Sequence, residues 1–264
     1  MPKIKTKSGT KKRFKTTGSG KVAKAMGRAL KSAGHSIVQI ISRNEDSGRI
    51  LADRLGAEHI LITGEIESVD LIAILVSDDA IAEVSSSLPS SIPQFHSSGV
   101  TGMEKLGSEV GGVVWPIKSI NEKSSNSNFI GVPLGIEATS PEFKSILMSL
   151  ATSIGGEGFE ADSSKRAVIH LAAVFTDNFA NHCLTLSQSI LKDANLEPSL
   201  MRALASGLLE GALNGDSESR QTGVAIRGDL GSQVKHLELL KSESEKDFYK
   251  FLSEQIKKHH ELQD

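Results

Sequence analysis

One six-residue pattern limits the folds open to this chain more than any other. Gly18-Ser19-Gly20-Lys21-Val22-Ala23 reads Gly-x-Gly-x-x-Ala and opens an amphipathic run. Val22, Ala25, Met26, Ala29, Leu30 and Ala33 fall at helical spacing, Lys21, Lys24, Arg28 and Lys31 lie between them, and Gly34 supplies a stop. Ile37 to Ile41 then reads as a strand ending in Ser42-Arg43. Turn, helix and strand in this order are those of a dinucleotide-binding βαβ unit. The first glycine permits the tight turn, the second lets backbone approach a pyrophosphate, and the small Ala23 allows the helix to pack closely. The helix and strand that follow make the glycine pattern more specific than it is alone.

The lead-in does not suit this reading. A strand at the centre of a parallel sheet is covered on both faces and should be apolar. Lys11-Lys12-Arg13-Phe14-Lys15-Thr16-Thr17 offers only Phe14 to a core. The segment 1–17 therefore reads as a basic arm or an imperfect first strand. Residues 1–44 hold 12 of the 30 Lys and Arg and none of the 32 Asp and Glu, so a polyanion such as rRNA is the partner expected for residues 1–24. Gly20-Lys21 does not make a mononucleotide loop: Lys15 stands where its first glycine should be, and Val22 replaces the hydroxyl that would meet magnesium. One cysteine, Cys183, in 264 residues suits a reducing compartment. No apolar run reaches the ~20 residues of a membrane helix. A cytoplasmic protein without a membrane partner is expected.

After Arg43 the pattern predicts a helix from Ile50 to Leu55, a short strand near His59 to Leu61, and a buried strand Leu71 to Val76 followed by a helix from about Ala80. A strand end at Gln94 to Gly99, strands at Val113 to Pro116 and Ile130 to Ala138, and a helix from Pro141 to about Ile154 follow; 121–128 is a polar loop. The alternation predicts an α/β doubly wound, Rossmann-like parallel sheet over 18–161. Residues 162–264 read as an all-α substrate or dimerisation domain: a long helix from about Ser163 to Asn195, then helices in Pro198 to Leu213, Gly231 to Lys241 and Ser244 to His260.

Candidate chemistry follows the strand ends. Ser42-Arg43-Asn44 occupies the position of the adenosine ribose; an acid there would favour NAD, whereas a hydroxyl, a guanidinium and an amide suit a 2′-phosphate. NADP is preferred over NAD on that ground. Ser77-Asp78 and His96-Ser97-Ser98-Gly99 would line the nicotinamide side. On the long helix His170, Asp177, Asn178, Asn181 and His182 can share much of one face, with His170 or His182 as the proton carrier and the asparagines orienting substrate. A loop at Gln221 to Asp229 and His236 add polar groups. No ligand spacing points to a metal.

Two resemblances overlap on this chain. Met1 to Gly9, Lys11 to Lys15 and Thr17 to Lys21 closely resemble the start of bacterial large-subunit ribosomal protein thirty-five, so the chain looks like a fusion at Gly-Ser-Gly-Lys. From Gly18 onward it resembles a bacterial family of Rossmann-like proteins of unknown function with a helical domain of the 6-phosphogluconate dehydrogenase type. That family is similar to deazaflavin-dependent NADP reductases and, more distantly, to pyrroline-carboxylate reductases. The carrying residues are Gly18-Ser19-Gly20-x-Val22-Ala23, Ser42-Arg43, Val76-Ser77-Asp78, His96-Ser97-Ser98-Gly99, Trp115-Pro116, Asp162-Ser163 with Arg166, His170 to Phe175, Asn178-Phe179, Asn181-His182, and Gln221-Thr222-Gly223 with Ala225 and Arg227. The resemblance implies a cytosolic, homodimeric oxidoreductase acting on a small molecule, with substrate held near Ser98, His170, Asn178, Asn181 and His182. Two departures stand out: Val224 where the family has proline, and the missing apolar first strand. The alternatives are an RNA-associated protein working through its basic start, and a dinucleotide-binding fold without catalysis.

Overall fold

The computed structural model describes residues 11–62, 64, 67–120, 128–213, 215 and 217–261. Residues 1–10 of the basic arm and most of the polar loop at 121–128 lie outside that range. The chain divides into two compact units, Met1–Asn178 and Phe179–Asp264.

Residues that looked least like a strand form the middle of the sheet in the first unit. Strand β1 (Arg13–Thr17) leads through Gly18 to helix α1 (Lys21–Ser32), strand β2 (Ser36–Ile41), helix α2 (Glu45–Leu55) and strand β3 (Glu58–Ile60). Then come β4 (Leu71–Ile74), α3 (Ile81–Ser86), β5 (Gln94–His96), β6 (Gly111–Pro116), β7 (Pro133–Ala138), α4 (Pro141–Ser153) and β8 (Glu157–Glu160). Among the described residues the eight strands make one sheet, in the order β3-β2-β1-β4-β5-β6-β7-β8. Every neighbouring pair is parallel except β6 and β7, which are antiparallel. The expected doubly wound, Rossmann-like parallel sheet is present, with that one antiparallel pair inside it.

β1 belongs to the sheet because backbone pairing on both sides outweighs its composition. Phe14 pairs with Ile37 and Leu71, and Thr17 with Ile41 and Ile74. The Phe14 ring is buried among Ala25, Leu30 and Phe95 of the larger core. Arg13 sits at the rim, where its backbone N–H donates to Asp70 and its guanidinium pairs with Glu67 at 3.0 Å. Lys15 meets the expected cost: it is 0% exposed, beside Ile72, and its Nζ finds no partner. Of the two readings of the start, basic arm and imperfect first strand, residues 13–17 take the second.

Helices cover both faces. The apolar stripe of α1 and the inner sides of α2 and α4 close the face carrying Phe14, Val114 and Ile136. α3 closes the other over Ile41, Ile72 and Ile74. Helix α5 (Ser163–Ala173) also belongs to the first unit. Its Arg166 side chain passes near Gly135 of β7, where an added Cβ would sit 3.8 Å from Arg166 Cγ, an ordinary contact, and 3.2 Å from the Trp115 ring, a tight one. Its N-cap is Asp162, which accepts from the Lys165 N–H. A π-helical segment, Val174–Phe179, continues it into α6 (Ala180–Asp193), so the long helix expected from about Ser163 forms with a widened turn inside it. The second unit is completed by α7 (Arg202–Leu213), α8 (Leu230–Leu239) and α9 (Glu243–Glu261). No helix of the described residues is long and apolar enough to cross a membrane.

Candidate functional site

The bend between β1 and α1 has the geometry its glycines require. Gly18 has φ +87°, and a Cβ there would lie 2.3 Å from the Leu75 carbonyl oxygen, so only glycine fits. Its N–H donates to the Ile41 carbonyl at 2.8 Å, tying the bend to β2. A Cβ on Gly20 would meet nothing within 4 Å; that glycine leaves space. Gly20 is also the N-cap of α1 and offers no side-chain cap, so no cap side chain occupies the first-turn amides and the positive end of the helix dipole. Ala23 is buried at the helix–sheet contact. A cavity of about 510 Å³ opens here, lined by Gly18, Gly20, Lys21, Val22, Ser42, Arg43, Asn44 and Ser77 among others. It sits where the strand order reverses, with β2 and β3 to one side of β1 and β4 to the other.

The end of β2 is ordered by hydroxyls. Ser19 Oγ lies 3.0 Å from Ser42 Oγ and 2.7 Å from Ser47 Oγ. Asn44 caps α2, its Oδ1 accepting from the Ser47 N–H. Arg43 is exposed on the cavity rim. The acids that follow in sequence, Glu45 and Asp46, lie within the first turn of α2, where Glu45 is held by Arg49 at 2.8 Å, and Glu83 of α3 lines the cavity. Ser47 was not anticipated; its spacing within a helix start gave it no distinguishing signal.

At the other half of the edge, Ser77 lines the cavity while Asp78 opens a 3-10 turn beside it. Ser97 and Ser98 lie past β5, outside the cavity lining. Ser98 is buried: its N–H donates to His96 Nδ1, and its Oγ accepts from the Val100 and Thr101 N–H groups. Burial, reinforced by the Arg166 charge, pushes His96 down to about 4, against weaker opposing effects of the Gly102 backbone and Glu104. Since Nδ1 accepts, the neutral ring carries its proton on Nε2. Gly99 lies against the Trp115 indole, where a Cβ would come within 2.6 Å of the ring. His170 meets the same indole edge-on from α5, ring centres 6.1 Å apart. Beyond it the Ser119 hydroxyl donates to the Asp177 carboxylate. Asp177 and the exposed Asn178 both lie in the π-helical segment, a distortion frequent at functional sites and invisible in the residue spacing.

Asn181 and His182 begin the second unit on α6, where His182 packs edge-on against Phe248. The loop after α7 contributes Thr222, Gly223 and Val224 to an apolar cavity of about 560 Å³ in that unit. His236 is bonded through Nδ1 to the Tyr249 hydroxyl at 2.8 Å. Of the basic start, Phe14 to Thr17 are buried in the sheet and cannot present themselves to a polyanion, whereas Lys21, Arg28 and Lys31 are exposed.

Comparison with known proteins agrees with this architecture. Residues 132–256 match a family described as a domain of unknown function, DUF2520. A candidate NADP oxidoreductase from Bacteroides fragilis superposes with a TM-score of 0.86 at 29% identity, over 94% of this chain and 98% of that one. A Thermotoga maritima protein gives 0.68 at 24% identity over 95% and 99%. An imine reductase from Myxococcus stipitatus, solved with NADP+, gives 0.61 at 14% over 93% and 92%. At these identities the last two show the fold. Large ribosomal subunit protein bL35 of Afipia carboxidovorans is 76% identical over 25 residues, 10% of this chain; the chain spans about 38% of the length of the first curated relatives it matches. The Parvibaculum lavamentivorans protein bL35 is 50% identical over 56 residues, 20% of this chain and 79% of that protein. The ribosomal likeness is thus confined to a tenth to a fifth of the sequence.

Proposed function

We propose that this chain is an NADP-dependent oxidoreductase acting on a small molecule. The observation that carries the reading is the cradle at Gly18 to Ala23. One glycine is conformationally obligatory, the next leaves room for a ligand, and the helix behind them presents its positive end to a cavity at the topological switch point. The residues fit the dinucleotide. The first-turn amides of α1 and the Lys21 ammonium suit its pyrophosphate. Arg43, with the Ser42 hydroxyl and the Asn44 amide, suits a 2′-phosphate, and the Ser42-Arg43-Asn44 segment itself carries no acid to receive a free 2′-hydroxyl; Glu83 lines the cavity from α3. When bound, the group would supply or accept a hydride. His170 is the proton carrier we assign in the first unit, with Asn178 to orient substrate. The Bacteroides fragilis relative, itself described as a candidate NADP oxidoreductase, supports the same reading.

Titration of the purified protein with NADPH and with NADH, followed by nicotinamide fluorescence, tests it. NADPH is expected to bind at least about tenfold more tightly, the effect of a charge-assisted pair, and Arg43→Ala to remove most of that preference. No fluorescence change with either nucleotide at high micromolar concentration sinks the proposal.

We further propose that the protein is a homodimer through its helical unit. There Leu204 and Leu208, one turn apart on α7, and Leu239 on α8 are 72%, 68% and 74% exposed, large apolar side chains that a second copy would cover. Light scattering is expected to give twice the chain mass, and Leu208→Glu to shift it toward the monomer; a wild-type monomer at tens of micromolar contradicts it.

A further inference from the structure

Arg166 is 0% exposed on α5, and its guanidinium is spent on three separate pieces of the fold. Nη1 pairs with the Glu137 carboxylate on β7 and donates to the Ala161 carbonyl at 3.0 Å. Nη2 donates to the Thr101 carbonyl at 2.9 Å. From there the bonds continue: Thr101 Oγ1 meets Ser98 Oγ at 2.9 Å, and Ser98 N–H meets His96 Nδ1 at 3.1 Å. One connected set of hydrogen bonds therefore runs from Glu137 through Arg166 to the loop that leaves β5. That loop lies on the β4–β5 side of the switch point, opposite the end of β2. A dinucleotide laid across such a switch point sets its two halves on opposite sides.

We infer that Arg166 is a positioning residue for the nicotinamide half of the site: it holds the Ser97–Thr101 loop in the shape that meets the reactive end of the cofactor. The inference rests on the NADP reading above. A guanidinium is suited to this task because its planar fork reaches Glu137 and two carbonyls together, which a lysine ammonium on a flexible stem cannot do. Nothing else among the described residues joins α5 to that loop by an ionised group. Arg166 does not touch the cavity itself, so its effect on binding is transmitted through Thr101 and Ser98.

The test separates the two halves of the ligand. Adenosine 2′,5′-bisphosphate probes only the adenosine side; NADPH probes both. Arg166→Lys keeps a cation beside Glu137 and is expected to weaken NADPH about tenfold, the worth of roughly one hydrogen bond, while the bisphosphate binds within about twofold of wild type. Equal losses for both ligands would mean a purely structural role, and no loss for either would mean none; each overturns the inference. Should Arg166→Lys not fold, Ser98→Ala cuts the same set at its far end. The same split there supports the inference, and its absence overturns it. Wild-type protein that binds neither ligand overturns the cofactor reading, and with it this one.

Discussion

Lys15 is the residue at which sequence and fold disagree most. Its ammonium is sealed under the sheet, and burial together with nearby Arg13 depresses its pKa below the ordinary 10.5, against the raising effect of Glu67 and Glu58. The sign follows. Between the depressed folded value and 10.5 the unfolded chain binds the extra proton, so stability rises with pH through that window and is lost as pH falls through it. Thermal melts are expected to move upward as pH rises through that window toward 10.5, where most proteins weaken. Lys15→Met should raise stability at pH 7 by about 1–3 kcal/mol, the penalty of an unsatisfied buried donor, and flatten that slope. His96 acts at the acid end. With a folded pKa of about 4 against an ordinary 6.5, its contribution is complete above 6.5 and is lost as pH falls to about 4. It amounts to about 3 kcal/mol. Comparing acid unfolding of wild type and His96→Gln should show a shallower loss in the variant.

At the scale of elements, the β1–α1 bend predicts two different failures from two similar changes. Gly18→Ala forces a side chain into positive φ and against the Leu75 carbonyl; it should cost about 1–3 kcal/mol from the backbone alone and lower the melting temperature. Gly20→Ala meets open space; its melting temperature should stay close to wild type while NADPH affinity falls sharply, because the added methyl takes the phosphate's place. Equal binding by Gly20→Ala and wild type would remove the cradle from the argument. These elements are also where the sequence was most readable. α1 is marked by apolar residues at helical spacing between Gly20 and Gly34, β2 and β4 by short apolar runs, and α4 by Pro141 after its Ser140 cap. β8 passed unseen because it is an edge strand with little buried side chain. The antiparallel β6–β7 pair was unreadable because strand direction leaves no trace in periodicity. β1 stayed ambiguous between basic arm and imperfect strand because what holds it is pairing with β2 and β4 rather than its own side chains. In the site, glycine geometry, Ser42, Arg43 and Ser77 were legible from spacing. The Arg166 connection was not: Arg166 figured in the family likeness, but a lone arginine near a helix start carries no mark of burial, and its partners come from β7 and a loop.

At the scale of the whole molecule, the head and body of the chain differ in charge, yet the boundary between them falls inside the sheet. The acid-free start supplies β1 and all of α1, and the structure divides it: Phe14 to Thr17 go inward while Lys21, Arg28 and Lys31 face water. Removing residues 11–17 would therefore take away the middle of the sheet, and should abolish cooperative unfolding rather than trim a tail. Circular dichroism of that deletion is expected to show loss of the sharp transition; an unchanged transition would mean the remaining strands close without it.

Phe14 finds one partner at Ile37 but the other only at Leu71. The first strand can therefore be paired on both sides only once the fourth has been made. The crowd of lysines around that strand gives a reason for it to stay dispersed while it waits, as charged gatekeepers do beside sticky segments.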